Sequence, residues 1–486
     1  MGEIRDYFYA HLDQLKELLA INSIYDGDTV CAEMPYGKGP SAALDYMRQL
    51  ALSDGFEVLE YANQAIAIRR KGEEHAERID IASHLDVVEV DGNWSRDPFK
   101  PEIIEGRLYG RGACDMKTAA FETYLVLKKL TEEKVPFNKE LRIVYGCDEE
   151  RTMNDMFYYV SKAGLPAFAF TPDGRFPMAI GEKGALMWRI RGQYEGSIIS
   201  KLEGGVQCNV ISPKASAELA DDFDVELLKP KLATIIKYEL DGKRLTVYGR
   251  AAHCSMPPAG HSATVDLLYV LKDFDKLADN LYEIFKSPYG DTFGYQPLET
   301  LREVMSEKLT GSDDMDAVVS RLFALYLSDE KQAGDIMNAF QKLFTNNLGV
   351  IRINEDGEIY AEVDGRYPYP LSSAELTEKL QKMCDYAVTL DYDSPPTSNS
   401  LDDPYIRILL DVYREKTGDQ TEPFVSGGVS YSKVFGHCVT YGLDASKNTS
   451  SMAHQADEYV EIEDAIKALE IYYEAVKRLV FAGESI

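Results

Sequence analysis

Residues 79–88 read IDIASHLDVV. A continuous apolar run of this length is the pattern of a strand buried on both faces, as found in the middle of a parallel sheet. Yet the run carries a histidine and an aspartate two places apart. Side chains alternate along a strand, so His84 and Asp86 project to one side, where burying both calls for a chemical reason. Two reasons compete: a hydrogen-bonded polar pair at a strand end, or a metal ligand with the carboxylate that orients it.

The neighbouring segments place this strand in a sheet. FEVLEY (56–61) and AIAIRR (65–70) read as a strand pair ahead of it. After a loop rich in Gly, Pro and Asp (91–117), Thr118 to Leu130 has helical character, LRIVYGC (141–147) reads as a strand, Asn154 to Ala163 as a helix closed by Gly164, and AFAFTPD (167–173) as another strand. Alternating strands and helices predict an α/β fold with a mixed, mostly parallel sheet flanked by helices. Ligands collect beyond the carboxyl ends of such strands. Three strands end there in polar groups: His84 with Asp86, then Asp148, Glu149 and Glu150, then Asp173.

At the amino end Ile4, Phe8, Leu12, Leu15 and Leu19 recur at helical spacing, and Ala42 to Leu52 repeats the character, predicting two helices. From about residue 185 the texture changes to alternating segments, ALMWRIRGQY, IIKYEL and KRLTVYG, mixed with helical stretches at Thr264 to Phe285 and Ala317 to Leu327. That predicts a separate α+β domain inserted into the first. DYDSPPTSNS (391–400) has the composition of a turn-rich linker. Beyond it a helix from Pro404 to Lys416 stops before Gly418, FVSGG and HCVTYG read as strands, and Glu461 to Leu479 as a final helix. The expected division is 1–184, 185–385 and 386–486, the outer two segments forming one domain.

The chain has 486 residues, 81 acidic against 52 basic, for a formal charge of −29. Such a balance repels phosphate backbones and anionic membranes, so nucleic acid and membrane are excluded as expected partners and small molecules or metal cations favoured. The seven cysteines are odd in number, scattered and without a CxxC pair, which argues against a disulfide framework and fits a reducing cytosol. No stretch is long and apolar enough to span a bilayer, and Asp6 stands where a myristoylation signal wants Ser or Thr. A cytoplasmic protein is expected.

Five scattered side chains have the chemistry to hold two divalent ions: His84, Asp115 in YGRGACDMK, Glu150 in GCDEE, Asp173 in TPDGRFP and His454 in SSMAHQADEY. Two imidazoles and three carboxylates suit Zn²⁺, Mn²⁺ or Co²⁺ better than a thiolate-selective metal. Singly each has an ordinary reading as a turn former, a helix-start carboxylate or a surface histidine.

Taken in order, SHLDVVEVDGNWSRDPFKPEIIEGRLYGRGACDMK, GCDEE, TPDGRFPMAIGEKG, EGGVQCNVISP, GRAAHCSMPPAGHSA, VDGRYP, SGGVSYSKVFG and HQADEYV resemble the co-catalytic zinc metallopeptidases of the aminoacylase and carboxypeptidase G superfamily. The chain length, the large insertion and TPDGRFPMAIGEKG resemble its bacterial dipeptidase V (carnosinase-like) branch. The resemblance implies a zinc-peptidase-like catalytic domain with an inserted α+β lid, and two divalent metal ions: His84 and Asp173 on one, Glu150 and His454 on the other, Asp115 bridging. Asp86 would orient His84, Glu149 would act as general base, and His253 would be the lid histidine donating to the oxyanion. Arg366, with the backbone amides of Gly427 and Gly428, is implied to hold the substrate's C-terminal carboxylate, and Asn209 to contact the substrate. Together these imply a monomeric dipeptidase that hydrolyses short peptides through a water shared by the ions.

The chain departs from the family pattern at Glu89, Thr118, Ser262 and Lys433, and KNTSSMAH lacks the usual Pro-Gly turn. These changes touch loop shape and side-chain preference. An N-acyl-amino-acid deacylase or a carboxypeptidase would use the same centre. A cysteine hydrolase on Cys254 beside His253, or Cys114 beside Asp115, is disfavoured because adjacent residues on an extended segment point apart. A metal-loaded binding protein without turnover would have no need of Glu149.

Overall fold

A computed structural model describes residues 2–90, 94–254, 257–289, 293, 342–443 and 452–481. The helix expected at Ala317 to Leu327 lies outside the described residues, as do the residues just before Met452. The chain divides into two compact units: Met1–Gly181 with Ser398–Phe424 and Ser430–Ile486, and Glu182–Thr397 with Val425–Val429.

The first unit is built on a mixed eight-stranded sheet. Its order is Glu57–Tyr61, Ala65–Arg70, Glu140–Gly146, Arg78–His84, Phe168–Thr171, Cys438–Thr440, Ala179–Glu182 and Phe424–Ser426. The middle is parallel: Arg78–His84 pairs with Glu140–Gly146 on one side and Phe168–Thr171 on the other, and Phe168–Thr171 pairs in turn with Cys438–Thr440. Glu57–Tyr61 and Ala65–Arg70 add an antiparallel edge. Arg78–His84 is buried from Ile79 onward, as its unbroken apolar run requires of a strand covered on both faces. The helices Lys117–Glu132 and Ile462–Phe481 pack against each other on the sheet, and their apolar side chains join one core with Ile79, Ile81, Ile143 and Phe170.

Local signals set the ends of the elements. Asp403 accepts hydrogen bonds from the Tyr405 (2.9 Å) and Ile406 (3.2 Å) amides, Pro404 fills the first helical position, and Gly418 at φ 72° ends the helix Pro404–Thr417 in the left-handed conformation. A small three-stranded sheet, Glu102–Ile104, Arg107–Tyr109 and Tyr459–Glu461, joins segments far apart in sequence.

The second unit carries an eight-stranded antiparallel sheet in the order Lys237–Asp241, Arg244–Tyr248, Lys214–Leu219, Ile199–Gly204, Thr345–Ile353, Glu358–Tyr367, Gly184–Gln193 and Ala387–Ser394. The helices Ala263–Leu271, Lys276–Phe285 and Ser373–Met383 cover it and share its core. An antiparallel sheet with segregated helices is the α+β architecture.

Three expectations change in detail. The opening helix is two, Gly2–Ala10 and Leu12–Leu19, parted at His11. Thr264 to Phe285 is likewise two helices, because Asp275 accepts from the Ala278 amide (3.0 Å) and starts a second one. The segment read as the linker DYDSPPTSNS begins inside a strand: Ala387–Ser394 pairs with Gly184–Gln193, whose sheet edge satisfies backbone groups that a linker would leave to water.

Candidate metal centre

The parallel register brings the ends of the central strands level, with His84 opposite Gly146. The loops that follow these ends, and the Arg107–Asp115 and His454–Tyr459 segments tied by the small sheet, meet beyond them, where a doubly covered sheet gathers ligands. All the groups described next belong to the first unit.

His84 is fully buried at its strand end. Its Nε2 lies 3.1 Å from Asp115 Oδ1 and 4.0 Å from Asp173 Oδ2. His454, at φ 64°, lies with Nε2 3.2 Å from Asp115 Oδ2 and 3.2 Å from Glu150 Oε1. The two oxygens of Asp115 therefore face different imidazoles. Among the described residues, the clusters of side chains able to hold a metal ion are His84 with Asp115 and Asp173, Asp115 with Glu150 and His454, and His84 with Glu149 and Glu150, each set within 4.8 Å. A cavity of about 210 Å³ beside Asp115 and Asp173 is lined further by Pro172, Met452 and Ala453.

The electrostatics are those of a cation site. Burial, then the charge of Asp173, pushes Glu149 well above the usual carboxylate range, and burial with Asp115 nearby raises Glu150. Hydrogen bonding of its ring to the Asp115 and Glu150 carboxylates raises His454 to about 10. Burial opposes a charged His84, yet Asp115 and Asp86 outweigh it and hold its pKa well up. Four crowded carboxylates draw positive charge from whatever faces them, and a mixed imidazole and carboxylate set is what Zn²⁺, Mn²⁺ or Co²⁺ takes. The residues fit divalent cations.

The hydrogen bond that holds His84 differs from expectation. His84 Nδ1 bonds the main-chain oxygen of Asp86 (3.0 Å), while the carboxylate Oδ1 stands at 3.5 Å. Asp86 Oδ2 accepts instead from the Glu150 amide (3.1 Å), so this buried residue steadies two candidate ligands, His84 through its main chain and Glu150 through its carboxylate. Asp86→Ala is expected to weaken divalent-cation affinity about 10–100-fold, the usual effect of losing such a partner. Chelator competition on the purified variant measures it, and an unchanged affinity refutes it.

Asp148 is used structurally. Its main-chain oxygen accepts from Thr152 and Met153, and its Oδ2 from the Asn154 amide, closing the turn that presents Glu149 and Glu150. Asp155 supports the same turn from below: its Oδ2 accepts from the Cys147 (2.6 Å) and Asp148 (2.9 Å) amides and from the Tyr431 hydroxyl.

The remaining expected residues lie in the second unit. His253 pairs with Val210 in an isolated bridge, and the Asn209 carbonyl accepts from the Cys254 amide. Arg366 does not present an open fork: its Nε and Nη2 donate to both oxygens of Asp364, each at 2.9 Å. Gly427 and Gly428 follow the strand Phe424–Ser426, with the Gly428 amide donating to Ser426 Oγ (3.1 Å). Cys254 is buried, and desolvation with the charge of Asp364 keeps its thiol well above the ordinary range, the reverse of an activated nucleophile.

Sequence reading missed Arg111 and Glu458. Both stand inside the quoted motifs, but they are 347 positions apart and form a buried ion pair at 2.7 Å that no spacing rule marks.

The "Putative dipeptidase" of Staphylococcus epidermidis is 27% identical over 98% of this chain and 98% of its own. Among solved structures, human carnosine dipeptidase 1 matches with a TM-score of 0.57 at 14% identity, covering 99% of each chain. The Bacillus subtilis YXEP protein, described as a dinuclear metal-binding peptidase, matches at 0.50 and 9% identity over 98% of this chain and 99% of that one. Likeness at these identities extends to the fold alone. The model of peptidase family M20/M25/M40 matches residues 81–478, across both units and every group of the centre, and the chain belongs to that family.

Proposed function

We propose that this protein is a metal-dependent dipeptidase hydrolysing short peptides with a free C-terminal carboxylate. The observation that supports it most is the position of Asp115, its two oxygens 3.1 and 3.2 Å from imidazoles that belong to separate clusters. The full-length similarity to a protein named as a dipeptidase supports the substrate class.

In this reading His84 and Asp173 hold one cation, Glu150 and His454 the other, and Asp115 is common to both. Bound divalent ions of this kind, Zn²⁺ by the donor set, supply Lewis acidity that lowers the pKa of water toward about 7 and polarises a carbonyl. Glu149 accepts the proton of the attacking water as the C–O bond forms, then delivers it to the leaving nitrogen as the C–N bond breaks.

The unit Glu182–Thr397 is assigned as the lid. There His253 donates to the developing oxyanion and Asn209 contacts the substrate. With Nε and one N–H of Nη2 of Arg366 turned to Asp364, its share in carboxylate recognition is left to its other N–H groups, helped by the amides of Gly427 and Gly428. We assign the protein as a cytoplasmic monomer. No helix among the described residues is long and apolar enough to cross a membrane.

A panel of dipeptides and N-acyl amino acids, run on metal-free protein reloaded with Zn²⁺, Mn²⁺ or Co²⁺, tests the assignment. Dipeptides are expected to lead in kcat/KM by about tenfold or more, some 1.4 kcal/mol of transition-state preference. A lead for N-acyl amino acids makes it a deacylase, and metal-loaded protein inert to the whole panel makes it a binding protein.

A further inference from the structure

Glu458 has no part in the chemistry above, yet its contacts are unusually directed. The side chain is fully buried, and so is that of Arg111. Oε1 accepts from the amides of Cys114 (2.8 Å) and Asp115 (3.0 Å), and Oε2 accepts from Arg111 Nη1 (2.7 Å). The Glu458 main-chain oxygen accepts from the Gly110 amide (3.0 Å). Arg111 Nη1 also reaches the Gln455 carbonyl (3.4 Å), Nη2 reaches that of Glu89 (3.3 Å), and the guanidinium lies 5.0 Å from the ring of Trp94.

Apart from the contact with Glu89, every one of these bonds joins one ligand-bearing segment to another. Residues 110–115 end in Asp115, and residues 454–458 begin with His454. The strands Arg107–Tyr109 and Tyr459–Glu461 carry the same two segments side by side just outside the pair. A carboxylate holding two successive amides fixes the backbone that enters Asp115, and hence the direction of that side chain. Charge-assisted bonds to backbone amides and to a guanidinium are stronger and shorter than neutral ones, and burial shields them from competing water.

We propose that Glu458 is a positioning residue of the metal centre: with Arg111 it locks the Asp115 loop to the His454 segment, so that the shared carboxylate faces both imidazoles before any cation arrives. The proposal rests on the metal-centre reading of Asp115 and His454.

The test is Glu458→Gln, which keeps shape but sets an amide NH₂ against Arg111 Nη1. Two readouts apply to metal-free protein: Zn²⁺ affinity by chelator competition, and hydrogen-exchange mass spectrometry of the peptide spanning residues 110–117. Expected are an affinity loss of about 10–100-fold and faster exchange confined to that peptide and to residues 454–461. Excess Zn²⁺ should restore turnover, which general loosening would not allow. Where the unpaired Arg111 prevents folding, the double variant Glu458→Gln with Arg111→Met removes the stranded charge and is read the same way. A folded variant with unchanged Zn²⁺ affinity and unchanged exchange overturns the proposal. If the wild-type chain itself takes up no Zn²⁺, the metal reading fails, while the exchange data still show whether Glu458 holds the loop.

Discussion

Replacing Glu149 by Gln is expected to lower kcat about 10³-fold while leaving the metal content intact. The substitution preserves size and hydrogen bonding but removes the ability to accept a proton, and general-base assistance is worth roughly 10²–10⁴-fold. A 10³-fold loss corresponds to about 4 kcal/mol in the activation barrier. Glu149 is singled out from its neighbour by its contacts. Glu150 Oε1 lies against His454 Nε2 and the Glu150 amide is held by Asp86, whereas Glu149 stands near His84 and Glu150 with burial and Asp173 raising its pKa. Steady-state kinetics on a dipeptide with elemental analysis of the same sample checks both halves. A kcat within a few-fold of wild type refutes the base assignment. Loss of metal would move Glu149 among the ligands.

Asp115→Ala is expected to abolish turnover by at least ~10³-fold for a different reason, the loss of cations from both clusters at once. The two imidazoles lie against different oxygens of this one side chain, and among the described residues Asp115 is the member shared by the set with His84 and Asp173 and the set with Glu150 and His454. Removing Asp173 should instead weaken the set with His84 and spare the one with Glu150 and His454. Elemental analysis and chelator competition separate these outcomes, and circular dichroism shows whether the chain still folds. Full metal occupancy in Asp115→Ala would end the shared-ligand reading. Treating wild-type protein with a strong chelator should reproduce the loss of activity, reversed by adding metal.

How far the centre was legible depends on the residue. His84 ends, and Glu149, Glu150 and Asp173 follow, a strand that its own apolar run or β-rich composition marks, and the rule that ligands gather beyond parallel strand ends brings them together without coordinates. The helix Pro404–Thr417 was equally plain, read from Pro404 to Lys416 with Gly418 after it. His454 lies 304 positions from Glu150, and only the resemblance joined them. In the second unit, the pairing of Asp364 with Arg366 lay open to reading: two residues apart on a strand, they share a face.

Residue chemistry and periodicity, both local, are enough to specify which segments become strands, where helices start and stop, and which side chains have the lone pairs to bind a cation. What required the folded chain is how those side chains are held: the main-chain oxygen of Asp86 on His84, its carboxylate on the Glu150 amide, Glu458 on the amides before and at Asp115. These bonds run to backbone groups, which every residue carries alike, so no choice of amino acid at the far end announces them. Their geometry comes from sheet register and loop closure, and those are settled only when the whole core packs.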